Sequence, residues 1–331
     1  MKKVALLTAL LLALSILCSC ASERTTTLYV MDTFAEITIY GGNENVMERI
    51  ENTLYDLDGE LSATNGGVYE LNENGGGETS EYIESLLCRS EIYYEKTGGA
   101  FSPYLGQVID LWGVGSKNYV PTGEELSSAL IASSAENVEH GEGNLVLRNG
   151  VRLNFGAIAK GYATDVIRDI LTEEKVEGAV IFLGGNVYVH GTKPSGELFR
   201  VAIRDPKGSD NDWILALELT DKFVISSGDY ERYFEENGER YHHIFSPETG
   251  YPVESDLRAV CIIADSGAMA DAYSTALYVM GSQGAIDFWR ENEGFELVLV
   301  GRDGTVTLTE GIGDNFIINN EKDYKYEVAK R

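Results

Sequence analysis

Basic residues are scarce in this 331-residue chain: 26 Lys and Arg stand against 53 Asp and Glu, a net charge of −27. No positive surface is available to release counterions from phosphates, which argues against nucleic acid as a partner. The same imbalance argues against electrostatic docking on anionic lipid headgroups. A phosphate-bearing ligand therefore needs a metal ion or well-placed amides to offset the field. Proline is rare at 6, so rigid linkers are few, whereas 36 glycines supply many tight turns. No G-x-G-x-x-G follows a first strand, no Walker A is present, and no internal repeat or low-complexity tract is visible. Histidine and cysteine occur four times each. Hydrophobic residues make up 44%, enough for a sizeable core.

The apolar run at 4–17, behind Lys2 and Lys3, has the length of a signal h-region and is too short for an ordinary transmembrane helix. It ends in Leu17-Cys18-Ser19-Cys20. A branched residue at minus three and a small one at minus one before cysteine resemble a bacterial lipobox. This reading makes 1–19 a lipoprotein signal peptide and 20–27 a lipid-anchored tether. Residues 28–331 then form the folded domain, on the extracytoplasmic side of the cell membrane. A diacylglyceryl thioether forms at Cys20, cleavage follows, and several acyl chains, palmitate among them, give stable anchoring. An ordinary secretory signal with incidental cysteines is the alternative. Of the remaining cysteines, Cys88 and Cys261 lie in apolar stretches and read as buried free thiols.

Alternation at Ala35, Ile37 and Ile39 predicts one strand over 28–40. Val46, Ile50, Leu54 and Leu57 share a helical face. Gly66-Gly67 and Gly75-Gly76-Gly77 mark loops, a helix spans 80–96, and Pro121 opens a short third one. Asn149-Gly150 between apolar triplets predicts a hairpin, as do Asn237-Gly238 and Asp303-Gly304. A helix follows Gly156 with Ile158, Tyr162, Val166 and Ile170 on its buried side. Strands are expected near 179–182, 187–190, 198–203, 214–219, 222–226 and 259–264. A helix over 266–279 ends at Gly281. Hairpins mixed with helices predict an α+β fold with mixed, largely antiparallel sheets and packed helices.

Four segments carry chemistry. Asp271 and Thr275 are four apart on a small, apolar helix face with Ala268, Ala272 and Ala276. A carboxylate there is costly to bury unless it binds something positive, and carboxylate plus hydroxyl suits Mg²⁺ rather than zinc. The alternative is an Asp favoured by its own helix dipole, with Thr275 bonding back to its helix. Around Gly156-Ala157 a strand turns into a helix whose N-terminal amides, with Lys160, suit a diphosphate. A tightened loop with a surface lysine is the plainer reading. His242 and His243 are adjacent, so on a strand only one can face a site, and either can be structural. Gly98-Gly99-Ala100-Phe101-Ser102-Pro103 lets a flat ligand approach backbone.

In order along the chain these segments resemble the ApbE family, the FAD:protein FMN transferases. The resemblance rests on Met31-Asp32-Thr33, Gly99-Ala100-Phe101-Ser102-Pro103 and Gly156 with Lys160-Gly161 and Asp165. It continues through Gly184-Gly185-Asn186, Ser227-Gly228 with Arg232, His243-Ile244 with Pro247 and Thr249-Gly250, and Ala270-Asp271 with Thr275-Ala276. It implies Mg²⁺ on Asp271, Thr275, the Ala157 carbonyl and the Ser274 position. FAD, as substrate, would contact Met31, the Ala100-Phe101-Ser102 stretch, Asn154, Lys160, His243 and Ile244. It further implies attack of a threonine hydroxyl of an exported acceptor flavoprotein on the riboflavin-side phosphorus, with AMP leaving and His243 or Asp271 taking the proton. Three departures stand out: Asn154 replaces a common Asp, Asp32 a common Gly, and the loop through Ser62 and Asn65 lacks the aromatic that stacks on adenine. That loop raises a second reading, an FAD pyrophosphatase giving AMP and FMN. A lipid-anchored flavin-binding protein without chemistry and a structural surface lipoprotein are the remaining classes.

Overall fold

The computed structural model describes residues 23–209 and 211–331, so the leader and Cys20 lie outside the described residues. The chain opens with strands β1 (Glu23–Val30) and β2 (Thr33–Tyr40), then helices α1 (Val46–Leu61) and α2 (Gly67–Asn74), β3 (Gly76–Glu78) and α3 (Glu81–Lys96). Helices α4 (Gly106–Trp112) and α5 (Gly123–Ala132), strands β4 (Val138–Gly141) and β5 (Asn144–Leu147), and helix α6 (Ala159–Glu173) follow. Next come β6 (Gly178–Leu183), β7 (Asn186–Gly191), β8 (Phe199–Arg204), β9 (Trp213–Leu219) and β10 (Lys222–Gly228). The chain finishes with β11 (Tyr233–Glu236), β12 (Glu239–His242), β13 (Leu257–Ala264), helix α7 (Gly267–Glu291), β14 (Phe295–Gly301), β15 (Thr305–Thr309), β16 (Phe316–Ile318) and β17 (Lys325–Ala329).

One nine-stranded sheet, in the order β1-β2-β6-β7-β10-β13-β14-β15-β17, organises the molecule. Its pairings are antiparallel except for β15 with β17. The expected α+β class with largely antiparallel sheets is what the chain adopts. Because side chains alternate along a strand, the sheet has two faces. Ile37, Ile39, Ile181, Leu183, Ile225 and Ile262 point to the helical layer, where α6 and α7 lie. Val189, Val224, Cys261, Ile263 and Val298 point the other way, onto β8 and β9. Strand β13 is buried along both faces and accordingly reads as a continuous apolar run. A third apolar cluster gathers around Trp112, with Val108, Leu126 and Phe245.

Several expectations give way to tertiary context. The single strand over 28–40 is two strands joined at Met31-Asp32, both in the left-handed region (φ 53° and 57°). That conformation explains why a glycine would suit position 32. The segment read as a tether enters β1 at Glu23. No hairpin forms across Asn149-Gly150: β5 already has β3 on one side and β4 on the other, so residues 151–153 find no free edge. Residues read as a loop at Gly67 start α2, and α4 was not expected at all. Gly281 (φ 74°, ψ 179°) ends the first helical stretch of α7 as expected, and a second stretch then runs on to Glu291. Val166 is only half-buried and Ile167 takes the inner position. Cys88 is exposed, not buried, whereas Cys261 is a buried free thiol as expected. Among the described residues no helix is long and apolar enough to cross a membrane.

Candidate active site

Helices α6 and α7 cross at Gly161 and Gly267. A Cβ on Gly161 would overlap the Gly267 carbonyl, and one on Gly267 would overlap the Gly161 carbonyl, so only glycine allows this approach. The closeness permits a reciprocal exchange. Asp165 of α6 accepts the first two N–H groups of α7, from Gly267 at 2.8 Å and Ala268 at 3.0 Å. Asp271 of α7 accepts the Gly161 N–H, the third of α6, at 2.8 Å through Oδ2. Each helix thus supplies a carboxylate to the N-terminal turn of the other, where the helix dipole favours negative charge. Arg168 holds Asp165 at 2.9 Å, and Ser266 caps α7 through the Met269 N–H.

The Gly161–Asp271 bond has a second effect. In a regular helix the Gly161 N–H would go to the Ala157 carbonyl, four residues back. Here it does not, and among the described residues no hydrogen bond reaches the Ala157 oxygen. Asp271 Oδ1 is likewise without a hydrogen bond among the described residues, although Asp271 is only 4% exposed. Thr275 lies one turn further along α7, partly open. Carboxylate, carbonyl and hydroxyl oxygens are the donor types a small hard cation takes, and Asp271, Ala157 and Thr275 are the residues that would hold one. Among the described residues no three His, Cys, Asp or Glu side chains gather as a metal centre.

Ser274 is placed differently from Thr275. It is fully buried, donates to the Asp271 carbonyl at 2.8 Å and meets Ser227 Oγ at 2.7 Å. The back-bond to the helix expected as the alternative for Thr275 is made by Ser274 instead. Ser227, at the end of β10, also reaches Thr275 Oγ1 at 3.3 Å.

The two adjacent histidines have separate tasks. His242 accepts the Ile244 N–H through Nδ1 at 3.2 Å and donates from Nε2 to the Val253 carbonyl at 3.1 Å, so both nitrogens are spent on structure. His243 approaches the Arg232 carbonyl through Nδ1 at 3.1 Å. A carbonyl only accepts, so Nδ1 carries the proton and Nε2 keeps its lone pair. Burial pushes the His243 imidazole down to about 4, with nearby Arg232 and Lys160 acting in the same direction.

The remaining candidates gather at this end of the sheet through backbone links. The Asn154 N–H donates to the Pro103 carbonyl at 2.8 Å, which sets Ala100 and Ser102 beside the turn into α6. Phe101 is 1% exposed and its ring belongs to the core, so this stretch offers backbone and small side chains rather than an aromatic face. Asn154 spends Oδ1 on the Gly156 N–H at 2.8 Å. Asp58, in the last turn of α1, accepts the Met31 N–H, and burial raises its carboxyl above the ordinary range. That bond joins the Met31 turn to the loop after α1, where Ser62 donates to Asn65 Oδ1 at 2.7 Å and Asn65 is exposed. Ile244 is buried. Fewer α6 amides are open than expected: Ile158 and Ala159 donate to Phe155 and Gly161 to Asp271. Among the first-turn groups the Lys160 N–H has no partner among the described residues.

Three residues here were not singled out from the sequence. Asp165 and Ser227 stood inside the quoted motifs, but only the fold shows what they touch. Glu231 lies against Gly185. Desolvation by the surrounding protein raises its carboxyl, and Lys160, Arg232 and Arg204 offset that in part. An acid next to Arg232 in a Gly-flanked run was the available signal.

The model of the ApbE family matches residues 31–299. A FAD:protein FMN transferase of Treponema pallidum is 35% identical over 250 residues, covering 70% of this chain and 69% of that one. One from Haemophilus influenzae is 27% identical over 270 residues, covering 77% and 78%. Among solved structures, the ApbE protein of Thermotoga maritima superposes with a TM-score of 0.78 at 32% identity, covering 86% of this chain and 96% of that one. The apo flavinyl transferase ApbE of Pseudomonas stutzeri gives 0.79 at 27% identity, covering 90% and 98%. With most of its length matched in sequence and in structure, this chain belongs to the ApbE family.

Proposed function

We propose that this chain transfers FMN from FAD to a threonine hydroxyl of an exported acceptor flavoprotein, in a Mg²⁺-dependent reaction that releases AMP. The observation that carries the reading is the single bond from Gly161 to Asp271 Oδ2. It leaves the Ala157 carbonyl and Asp271 Oδ1 without a hydrogen bond among the described residues, one helical turn from a Thr275 hydroxyl whose partner is Ser227. Mg²⁺ held there would neutralise the FAD diphosphate and stabilise charge on the transferring phosphoryl.

The chain's own residues would do the rest. Lys160, with its open N–H, binds diphosphate oxygens at the start of α6. The stretch through Ala100 and Ser102, with Met31, Asn65, Asn154 and Ile244, lines the path of the flavin nucleotide. His243 Nε2 takes the threonine proton, since its tautomer is fixed by Arg232 and its ring stays neutral near pH 7. The threonine oxygen forms a bond to the riboflavin-side phosphorus. The bond from that phosphorus to the bridging oxygen breaks, and AMP leaves with that oxygen. Asp271 is already committed to Gly161 and to the cation, so His243 is the better proton acceptor of the two. The lipobox at Cys20 anchors the chain in the membrane, facing the extracytoplasmic side.

The test mixes the full chain, purified in detergent, with FAD and Mg²⁺, with and without a threonine-bearing acceptor domain. Acceptor that fluoresces on a denaturing gel, with AMP in equal amount and both lost in Asp271→Ala, is the expected result. AMP without labelled acceptor would replace the transferase by an FAD pyrophosphatase. Firm FAD binding without AMP would leave a flavin-binding protein.

A further inference from the structure

From the hydroxyls behind the candidate cation site we infer that Ser227 is a positioning residue: it aims the lone pairs of Thr275 at the cation by accepting the Thr275 proton. This rests on the divalent-cation site proposed above.

The direction of every proton follows from one fixed end. Ser274 Oγ lies 2.8 Å from the Asp271 main-chain carbonyl. A carbonyl has no proton to give, so Ser274 must donate, and its only proton is used. The 2.7 Å contact between Ser274 and Ser227 then has Ser227 as donor. Ser227 in turn has no proton left for Thr275 at 3.3 Å, so Thr275 donates to Ser227. The chain runs from Thr275 to Ser227 to Ser274 to the Asp271 carbonyl, and aligned hydroxyls strengthen one another at low dielectric.

With its proton drawn toward Ser227, the Thr275 oxygen keeps its lone pairs for the cation that the proposal shares among Thr275, Asp271 Oδ1 and the Ala157 carbonyl. A hydroxyl whose proton pointed the other way would repel a cation. Ser274 thereby becomes the terminus of the relay rather than a ligand: it is 0% exposed and its proton and one lone pair are committed inside the protein. The relay also ties two elements together, since Ser227 sits at the end of β10 and the other members ride on α7.

The experiment titrates Mn²⁺, as a paramagnetic substitute for Mg²⁺, into the full chain without FAD and reads free Mn²⁺ by electron paramagnetic resonance. Outer-shell partners typically change metal affinity about 10–100-fold, so Ser227→Ala is expected to weaken Mn²⁺ binding by that factor. Its metal-free thermal midpoint should stay close to wild type. Ser227→Thr, which keeps the hydroxyl, should restore most of the affinity, and Ser227→Cys, a weak acceptor of similar size, should not. If Ser227→Ala does not fold, the Thr and Cys pair decides the matter. Asp271→Ala and Thr275→Val should abolish binding. If those two bind as the wild type does, the cation site itself is wrong. If they lose Mn²⁺ while Ser227→Ala or Ser227→Cys binds normally, the relay alone is overturned.

Discussion

On its outer face the nine-stranded sheet meets β8 and β9 through Val189, Val224, Ile263 and Val298 against Val201, Ile203, Leu215 and Leu217. On its inner face it carries α6 and α7, whose own contact is made by two glycines and two buried carboxylates. The first interface is held by non-directional burial of apolar area, in which shape matters more than any one atom. The second is held by hydrogen bonds of fixed geometry between groups that cannot be left unpaired. A protein that must hold oxygen donors in fixed positions needs the second kind of interface, and the first gives it a rigid sheet to stand on.

Substitutions sharpen that contrast. The largest effect is expected for Gly161→Ala, where the new methyl overlaps the Gly267 carbonyl and drives the helices apart. Overpacking of this kind costs about 3 kcal/mol, near the upper end of its range. Urea unfolding should show the loss, and Mn²⁺ affinity should fall with it. Asp165→Ala comes next. It leaves the Gly267 and Ala268 N–H groups and Arg168 without their acceptor. A lost cap together with a buried unsatisfied donor costs about 2 kcal/mol, read from the same urea transition. A mild outer-face change, Ile263→Val, should cost only about 1 kcal/mol and leave acceptor labelling unchanged. If Ile263→Val slowed labelling as much as Asp165→Ala does, the two faces would not be energetically separate.

The smallest effect is one of pH. His243 is neutral in the folded chain down to about pH 4, whereas an unfolded histidine takes up its proton near 6.5. Between those values the unfolded state binds more protons, so stability rises with pH across the window. The contribution is fully present above about 6.5 and is lost as pH falls toward 4, reduced by solvent because the ring is partly open. Unfolding of wild type and His243→Gln, compared at pH 7.5 and pH 5, should show a steeper acid loss in the wild type.

Legibility divided along similar lines. Elements whose burial follows a simple period were readable, as with α1 from Val46, Ile50, Leu54 and Leu57, all of which are buried. Hairpins were readable where a free edge existed: Asn237-Gly238 joins β11 to β12, and Asp303-Gly304 joins β14 to β15. Asn149-Gly150 misled, because turn chemistry reports only local backbone preference and β5 was already paired on both sides. The stretch 98–103 read as one where a flat ligand approaches backbone, but that the Phe101 ring is buried in the core is decided by what packs around it.

By itself the sequence determined the α+β class, the strand periods and the shared helix face of Asp271 and Thr275, because these depend on spacing along one element. Tertiary structure alone decided that Gly161 donates to Asp271 rather than to Ala157, that His242 is spent while His243 keeps a free nitrogen, and that Ser227 meets Ser274 and Thr275. Each of those depends on a contact between residues distant in sequence or on what surrounds one ring. No local pattern encodes such a contact: it comes from how glycine-sized gaps let two helices approach and which sheet residue the crossing sets beneath them.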